Sequence, residues 1–192
     1  MRITIIGNCG SGKSTLARKI SEQFNIPHIH LDRFWFEANG HTVRKDDVEG
    51  KEKVRVRIRE KVEEFIKHDS WVSDGWYSRV QPIIAERANY VVFLDIPLWR
   101  RLVNHIRRIF FSERHPELSR WDDLKFISEI VRRTFTHGVQ MRKFIQENPE
   151  KVVHIHSHRE ADKFLKNLRK TNEGAIPAVL GKIIKRRGWL PR

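Results

Sequence analysis

The chain has 192 residues, of which 38 are Lys or Arg and 24 are Asp or Glu, so its formal charge at neutral pH is +14. The length fits one domain with a substantial core, and no apolar run is long enough to predict a membrane span. A single cysteine, Cys9, excludes an intramolecular disulfide framework and predicts a cytoplasmic protein. The excess of positive charge predicts either a polyphosphate ligand or a nucleic acid as partner.

The first predicted elements are a strand, a glycine-rich loop and a helix. Residues 2–6 form an apolar, β-branched run, and residues 7–14, Gly-Asn-Cys-Gly-Ser-Gly-Lys-Ser, fit the P-loop pattern G-x-x-x-x-G-K-[ST]. Glycines let successive backbone N–H groups face one anion, while Lys13 supplies charge for the β- and γ-phosphates and Ser14 a hydroxyl for Mg²⁺. We therefore expect ATP and Mg²⁺ to bind here, through Gly7, Asn8, Cys9, Gly10, Ser11, Gly12, Lys13, Ser14 and Thr15.

A second predicted strand, residues 28–31, ends at Asp32. A strand, a helix and a strand within about thirty residues predict a βαβ unit, and hence a parallel sheet covered by helices. Ligands of such sheets bind beyond the carboxyl ends of the strands, which is where Asp32 falls. The aromatic residues 34–36 follow, and the polar stretch containing Asn39-Gly40 predicts a mobile loop.

Three further strands and four helices complete the predicted order. The third strand ends at Asp74, and the fourth is an uninterrupted apolar run that ends at Asp95, as expected for a strand buried on both faces. We expect strands over residues 70–75, 90–95 and 151–156, and helices over residues 51–68, 98–111, 121–146 and 160–168. The helix over 98–111 has a predicted apolar face of Leu102, Val103, Ile106 and Ile109, and Gly138 is a candidate interruption of the helix over 121–146.

Three features occur in the order typical of the nucleoside-monophosphate-kinase branch of P-loop proteins: the P-loop, the Asp-Gly after the third strand, and the Leu-Asp-Ile-Pro after the fourth. In detail the chain resembles the bacterial adenylate-kinase-like, FlaR-related DNA topology modulation proteins. Their marks, His-Leu-Asp followed by aromatics and Trp-x-x-Asp-Gly-x-Tyr, occur here at residues 30–32 and 71–77. Adenylate kinases follow Asp-Gly with Phe-Pro-Arg, whereas this chain has Trp-Tyr-Ser-Arg at 76–79, which argues against adenylate kinase activity itself.

The resemblance implies an α/β P-loop NTPase fold with a five-stranded parallel sheet of order 2-3-1-4-5 and helices on both faces. It covers residues 1–170 and implies an ATP site and an arginine-bearing lid, which we place at about residues 100–122. The remaining residues, 171–192, form a basic C-terminal extension.

Phosphoryl transfer requires a carboxylate near Mg²⁺, a group that orients the acceptor, and arginines. Asp74 is our candidate for the magnesium site; Asp95 fits the pattern of an apolar run followed by Asp better, but the resemblance puts it on the adenine side. Asp32 is the candidate that accepts a proton from an acceptor hydroxyl, with a helix or loop cap as its alternative role. Arg101 and Arg107, in the lid, are further catalytic candidates for binding a polyphosphate, each with a solvated surface role as the alternative.

Two remaining groups have a chemical and a structural interpretation. Trp35 is a candidate for stacking on a substrate, with core packing as the alternative, and Arg79 is a candidate for an acceptor phosphate. The pairs His28 with His30 and His154 with His156 each lie on one face of a strand, but no cysteine or carboxylate joins them in a ligand pattern. The sequence therefore predicts no metal site there.

The predicted function is that of a Mg-ATP-dependent kinase that transfers the γ-phosphate to a nucleotide or another small acceptor. A nucleotide-gated nucleic-acid-binding protein, motivated by the charge, and a slow ATPase are the alternatives. The first requires an acceptor for turnover, the second predicts salt-sensitive binding of DNA or RNA, and the third predicts hydrolysis without an acceptor.

Overall fold

The computed structural model describes residues 1–44, 46–111 and 120–172. Part of the predicted lid, residues 112–119, and the C-terminal extension from residue 173 onward lie outside the described residues. The predictions for these two segments therefore stay predictions.

The strands form one parallel sheet in the order β2-β3-β1-β4-β5, which confirms the predicted fold class. The register places His30 opposite Asp74, and Asp74 opposite Ile5, so side chains at the carboxyl ends of neighbouring strands meet. The strands are β1 Arg2–Gly7, β2 His28–His30, β3 Trp71–Asp74, β4 Tyr90–Leu94 and β5 Val152–Ile155.

Seven helices occur in the described residues, and most begin or end where sequence signals predict. Asp47 caps the N-terminus of the third helix, where its carboxylate accepts a hydrogen bond of 2.7 Å from the Gly50 N–H. The helices are α1 Lys13–Phe24, α2 Leu31–Glu37, α3 Val48–Phe65, α4 Gln81–Arg87, α5 Leu98–Phe111, α6 Arg120–Glu147 and α7 His158–Asn172.

The chain divides into two compact units, one of residues 1–6 and 13–91 and one of residues 7–12 with the chain from Val92 onward. The first unit has a continuous apolar core around Trp71, in which α3 contributes one face at four-residue spacing, namely Val54, Ile58 and Val62. In the second unit the buried apolar residues come from β4, α6, β5 and α7, and include Phe93, Leu94, Ile130, Met141, Val153 and Phe164.

The segment after β2 differs from its prediction. Strand β2 ends at His30, so Asp32 lies in the first turn of α2 and not at the end of a strand. A short 3₁₀ turn, Gly40–Thr42, follows it, and the ring of Trp35 packs so closely on Gly40 that a Cβ there would lie 2.4 Å from Trp35 Nε1. Within the predicted loop, an aromatic ring thus packs on a bare glycine.

The buried face of α5 also differs from its prediction. Val103 and Ile106 are 44% and 43% exposed, whereas Arg101 and His105 are buried. Arg101 is buried because backbone carbonyl groups around it require a donor, a requirement that apolar periodicity does not detect. In α6 the helix runs without a break through Gly138, because an isolated glycine costs a helix only about 1 kcal/mol.

Candidate active site

The P-loop adopts the backbone conformation that its glycines make accessible. Gly10 and Gly12 have φ angles of +77° and +91°, in the left-handed region that side chains with a Cβ rarely adopt. A Cβ on Gly10 would also lie 3.1 Å from the carbonyl oxygen of Arg101. Helix α1 begins at Lys13, directly after this turn, so the predicted strand, loop and helix are all present.

Two side chains of α5 donate hydrogen bonds to the P-loop. Arg101 donates from Nη1 to the Cys9 carbonyl oxygen at 3.3 Å, and Asn104 donates from Nδ2 to the Gly10 carbonyl oxygen at 3.1 Å. These bonds occupy the carbonyl groups of Cys9 and Gly10, which could not themselves bind an anion. Asn104 did not enter our predictions for the loop, and no sequence pattern marks it.

Arg101 is a buried residue with three different acceptors. Besides Cys9, it donates from Nε to the Ile96 carbonyl oxygen at 3.0 Å and from Nη2 to Thr134 Oγ1 at 2.9 Å. Burial lowers the pKa of its guanidinium, which nevertheless stays charged near neutral pH. In this arrangement Arg101 supports the loop, whereas Arg107, further along the same helix, is exposed.

The magnesium candidates Ser14 and Asp74 lie in direct contact. Ser14 donates from Oγ to Asp74 Oδ2 at 2.5 Å, across a sequence separation of 60 residues. Two oxygen atoms this close together can both contact one cation. The serine hydroxyl and the carboxylate are also the oxygen ligands that Mg²⁺ prefers, so the two residues fit this ion.

Two histidines from β2 bind the other oxygen of the same carboxylate. His28 Nε2 and His30 Nδ1 lie 2.8 Å and 3.1 Å from Asp74 Oδ1, and the Asp74 side chain is fully buried. Burial by itself raises the pKa of Asp74, but the hydrogen bonds from His28, His30 and Ser14 outweigh it and hold that pKa far below its usual value. Asp74 is therefore a carboxylate at all physiological pH values.

The contact between the histidines and Asp74 was missed by sequence reasoning, although its parts were visible. The spacing of His28 and His30 places both on one face of β2, and the strand order places β2 beside β3. The register, which puts His30 opposite Asp74, is the additional fact that joins them. The hydrogen bond that His30 donates to Asp74 raises the pKa of His30.

The acceptor-side candidates come together in part. Tyr77 donates from its hydroxyl to Asp32 Oδ1 at 3.2 Å, and His30 Nε2 lies 3.8 Å from Asp32 Oδ2. Asp32 itself is exposed, so a small molecule has access to its carboxylate. Trp35 packs against the core of the first unit, which is the packing alternative for that residue, while its neighbour Phe36 is 56% exposed.

Arg79 lies on a surface groove of the first unit. Its guanidinium is 3.7 Å from the Glu52 carboxylate, and the groove is lined by Arg55, Ile58, Tyr77, Ser78, Arg79 and Val80. Tyr77 thus lines this groove and also bonds Asp32, which connects two of the predicted acceptor residues.

No described helix has the length and apolar character needed to cross a bilayer.

Asp95, the alternative magnesium candidate, belongs to a different group of side chains. It follows β4 and accepts a hydrogen bond from His154 Nε2 at 3.2 Å in the second unit. The Ser14 hydroxyl contacts Asp74, and this contact favours Asp74 over Asp95 for the magnesium site.

Comparison with known proteins agrees with this architecture. No protein-family model matches the chain. The bifunctional shikimate kinase/3-dehydroquinate synthase of Thermotoga maritima is 34% identical over 73 residues, which are 38% of this chain but only 15% of that protein's length. The crystal structure of shikimate kinase from Bacteroides thetaiotaomicron, at 18% identity, aligns with 90% of this chain and 98% of its own, with a TM-score of 0.53. This chain therefore has the P-loop kinase fold that shikimate kinase also has.

Proposed function

We propose that this protein is a Mg-ATP-dependent phosphotransferase that moves the γ-phosphoryl group of ATP to a small acceptor bearing a hydroxyl group. The observation that carries the proposal is the 2.5 Å hydrogen bond between the P-loop hydroxyl of Ser14 and the buried carboxylate of Asp74. P-loop enzymes hold Mg²⁺ between a P-loop Ser or Thr and an Asp of this kind.

Each candidate residue has a definite part in such a transfer. The P-loop amides and Lys13 bind the β- and γ-phosphates, and Ser14 with Asp74 hold Mg²⁺. When bound, Mg²⁺ neutralises charge on the phosphate oxygens. Asp32 accepts the proton of the attacking hydroxyl, and the hydrogen bond from Tyr77 fixes the orientation of that carboxylate.

The Asp32–Tyr77 pair favours an alcohol over a nucleoside monophosphate as the acceptor. A phosphate monoester is mostly ionised at neutral pH, because its second pKa is about 6, and it needs no base before it attacks. An alcohol keeps its proton until a base removes it. The names of the two similar proteins make shikimate the first acceptor to test, followed by other hydroxylated carboxylates and nucleosides.

An acceptor screen tests the proposal directly. ADP formation from Mg-ATP is measured with and without each acceptor, for the wild type and for Lys13→Ala. We expect acceptor-dependent turnover in the wild type. We expect its loss in Lys13→Ala, because the P-loop lysine supplies the positive charge that binds the β- and γ-phosphates. Lys19→Ala is the matched control, since Lys19 lies on the exposed face of α1 and should leave turnover unchanged. Equal turnover in wild type and Lys13→Ala would refute the proposal.

A second variant tests the role of Asp32. Asp32→Asn removes the base but leaves the P-loop intact, so kcat should fall by about 10²–10⁴-fold while the affinity for Mg-ATP stays the same. Isothermal titration with Mg-ATP and steady-state kinetics separate the two effects. Unchanged kcat would indicate an acceptor that needs no base, such as a nucleotide phosphate.

Nucleic-acid binding is the alternative that the charge of +14 and the resemblance to DNA topology modulation proteins support. It predicts affinity for DNA that falls steeply with salt and weakens when residues 174–192 are removed. Fluorescence anisotropy with a labelled duplex, at two salt concentrations and with both chain lengths, measures this. Hydrolysis of ATP that no acceptor accelerates would instead favour the slow ATPase.

A further inference from the structure

Three metal-binding side chains meet in the second unit, apart from the residues of the proposed transfer. Asp95 follows the carboxyl end of β4, His154 lies in β5, and His156 follows β5. One ligand atom from each of the three lies within 4.8 Å of the other two, and His154 Nε2 is 3.2 Å from Asp95 Oδ2. The imidazole rings of His154 and His156 are tilted by 34° to each other, with centroids 4.1 Å apart.

One of the three ligand-atom separations matches that of a tetrahedral metal centre. Zinc binds His nitrogen at about 2.0–2.1 Å and carboxylate oxygen at about 2.0–2.2 Å, which puts ligand atoms about 3.3 Å apart around a tetrahedral ion. The Asp95–His154 separation of 3.2 Å already has this value. His156 is exposed, so its ring can rotate to bring its nitrogen to the same distance.

We propose that Asp95, His154 and His156 form a binding site for a transition-metal dication, with Zn²⁺ as the ion the ligands suit best. Two imidazoles and one carboxylate leave the fourth tetrahedral position open, as in zinc sites that also bind water or an external ligand. Imidazole nitrogen favours Zn²⁺, Co²⁺ or Ni²⁺ over Mg²⁺, so this site is selective against the ion expected at Ser14 and Asp74.

The electrostatics of the cluster both favour and limit binding. The Asp95 carboxylate is ionised at neutral pH, and a metal ion that binds here displaces the proton that His154 Nε2 donates to it. The positive charge of Arg142, on α6, acts on Asp95 and opposes a second cation. We therefore expect a site weaker than a structural zinc site with four protein ligands.

Metal binding would connect the ends of two strands. The Asp95 N–H already donates to the Ile155 carbonyl oxygen at 2.9 Å, so the backbone of Asp95 lies against β5. An ion held by Asp95 on one side and His154 and His156 on the other adds a second connection at the same place. Zinc should therefore stabilise the folded protein, since it binds that state and not the unfolded chain.

Cobalt titration of the full, tag-free chain in excess Mg²⁺ tests the proposal, since excess Mg²⁺ occupies an oxygen site but not an imidazole site. We expect one equivalent of Co²⁺ to bind with the visible absorption of a tetrahedral ion, Zn²⁺ to displace it, and Zn²⁺ to raise the unfolding temperature. His156→Gln and Asp95→Asn should each weaken binding at least about tenfold, since even outer-shell changes cost about 10–100-fold. His156→Gln is the safer variant for folding, because His156 is exposed.

The controls separate this site from the other histidines. His68→Gln, a change at an exposed histidine of the first unit, should bind Co²⁺ as the wild type does. Loss of binding in His30→Gln would instead locate the ion at Asp74 and overturn the proposal. An absence of saturable binding in the wild type, or unchanged binding in both His156→Gln and Asp95→Asn, would also overturn it. None of these outcomes depends on whether the protein transfers phosphate.

Discussion

The two outer strands of the sheet, β2 and β5, carry the same His-x-His pattern, but the two patterns lie in different surroundings. On β2, His28 and His30 bind Asp74 from β3, and on β5, His154 binds Asp95, which follows β4, with His156 beside it. Asp74 is fully buried, whereas the Asp95 side chain is 34% exposed. The pattern of His-x-His with an aspartate from the neighbouring strand thus appears once in a closed and once in an open form.

The difference supports our proposal that one set of residue types serves two kinds of cation. In the closed cluster, hydrogen bonds occupy both oxygens of Asp74, and one of the donors is the P-loop hydroxyl. The histidines there hold the carboxylate that we propose to bind a hard ion through oxygen. In the open cluster the imidazole nitrogens themselves are near enough to Asp95 to act as ligands. The two aspartates differ in what they contact besides histidine. Asp74 accepts a hydrogen bond from Ser14, whereas Asp95 is open to solvent.

Exchange of each aspartate for asparagine gives the largest expected contrast. Asp74→Asn removes the charge that faces Mg²⁺ and should lower turnover by about 100-fold or more, a loss like that from removing one preorganised charge-stabilising group. Asp95→Asn should lower turnover by less than tenfold. Steady-state kinetics with the acceptor found in the screen measures both, and circular dichroism verifies that each variant is folded. Equal losses would show that the clusters do not divide the two roles.

Arg101 holds the P-loop and the Ile96 carbonyl group of the second unit, and its replacement should loosen that unit selectively. Arg101→Lys keeps the charge but cannot serve the carbonyl groups of Cys9 and Ile96 and the hydroxyl of Thr134 together. Each buried polar group left without a partner costs about 1–3 kcal/mol, and we expect a loss of that size in the free energy of unfolding, measured by urea denaturation.

The matched control for this variant is Arg107→Lys, at an exposed position of the same helix, which should change the free energy of unfolding by less than about 0.5 kcal/mol. Hydrogen exchange should become faster at residues 92–96 in Arg101→Lys and stay the same at residues 71–75. Faster exchange at both places would contradict a support role confined to the second unit.

Much of the fold could be predicted because its signals are local. The P-loop pattern identified the loop and α1, and the apolar run before Asp95 identified β4, whose strand bounds differ from prediction by one residue. Helix α4, Gln81–Arg87, was not predicted, because seven residues are too few to show a period. The strand order came from the resemblance and not from periodicity, since local patterns do not determine which strands are neighbours.

The site could be predicted only as far as residue types indicate chemistry. Ser14 and Asp74 were assigned to magnesium separately, and the structure brings them into contact. The burial of Arg101 could not be predicted, because its acceptors are backbone carbonyl groups that have no sequence signature. The joining of Asp95 to His154 likewise depends on residues 59 positions apart.

The smallest expected effect is on the pH dependence of folding stability. The closed cluster should lose part of its contribution to stability at alkaline pH. The hydrogen bond to Asp74 raises the pKa of His30 in the folded state. The stability that His30 contributes is therefore fully present below the pKa of the unfolded chain, about 6.5, and is lost as pH rises through the folded value. Asp74 and Asp95 have lowered pKa values, so their contributions are present above about pH 3.9 and are lost as pH falls.

Urea denaturation of wild type and His30→Gln in EDTA, at about pH 5.5 and about pH 9, measures this contribution. The stability difference between the two proteins should be larger at the lower pH, because only there does His30 carry the charge that Asp74 binds. The effect should be modest, since His30 is partly exposed and water screens its charge. A difference that is the same at both pH values would mean that the His30–Asp74 contact acts as a neutral hydrogen bond, and the two clusters would then differ in burial alone.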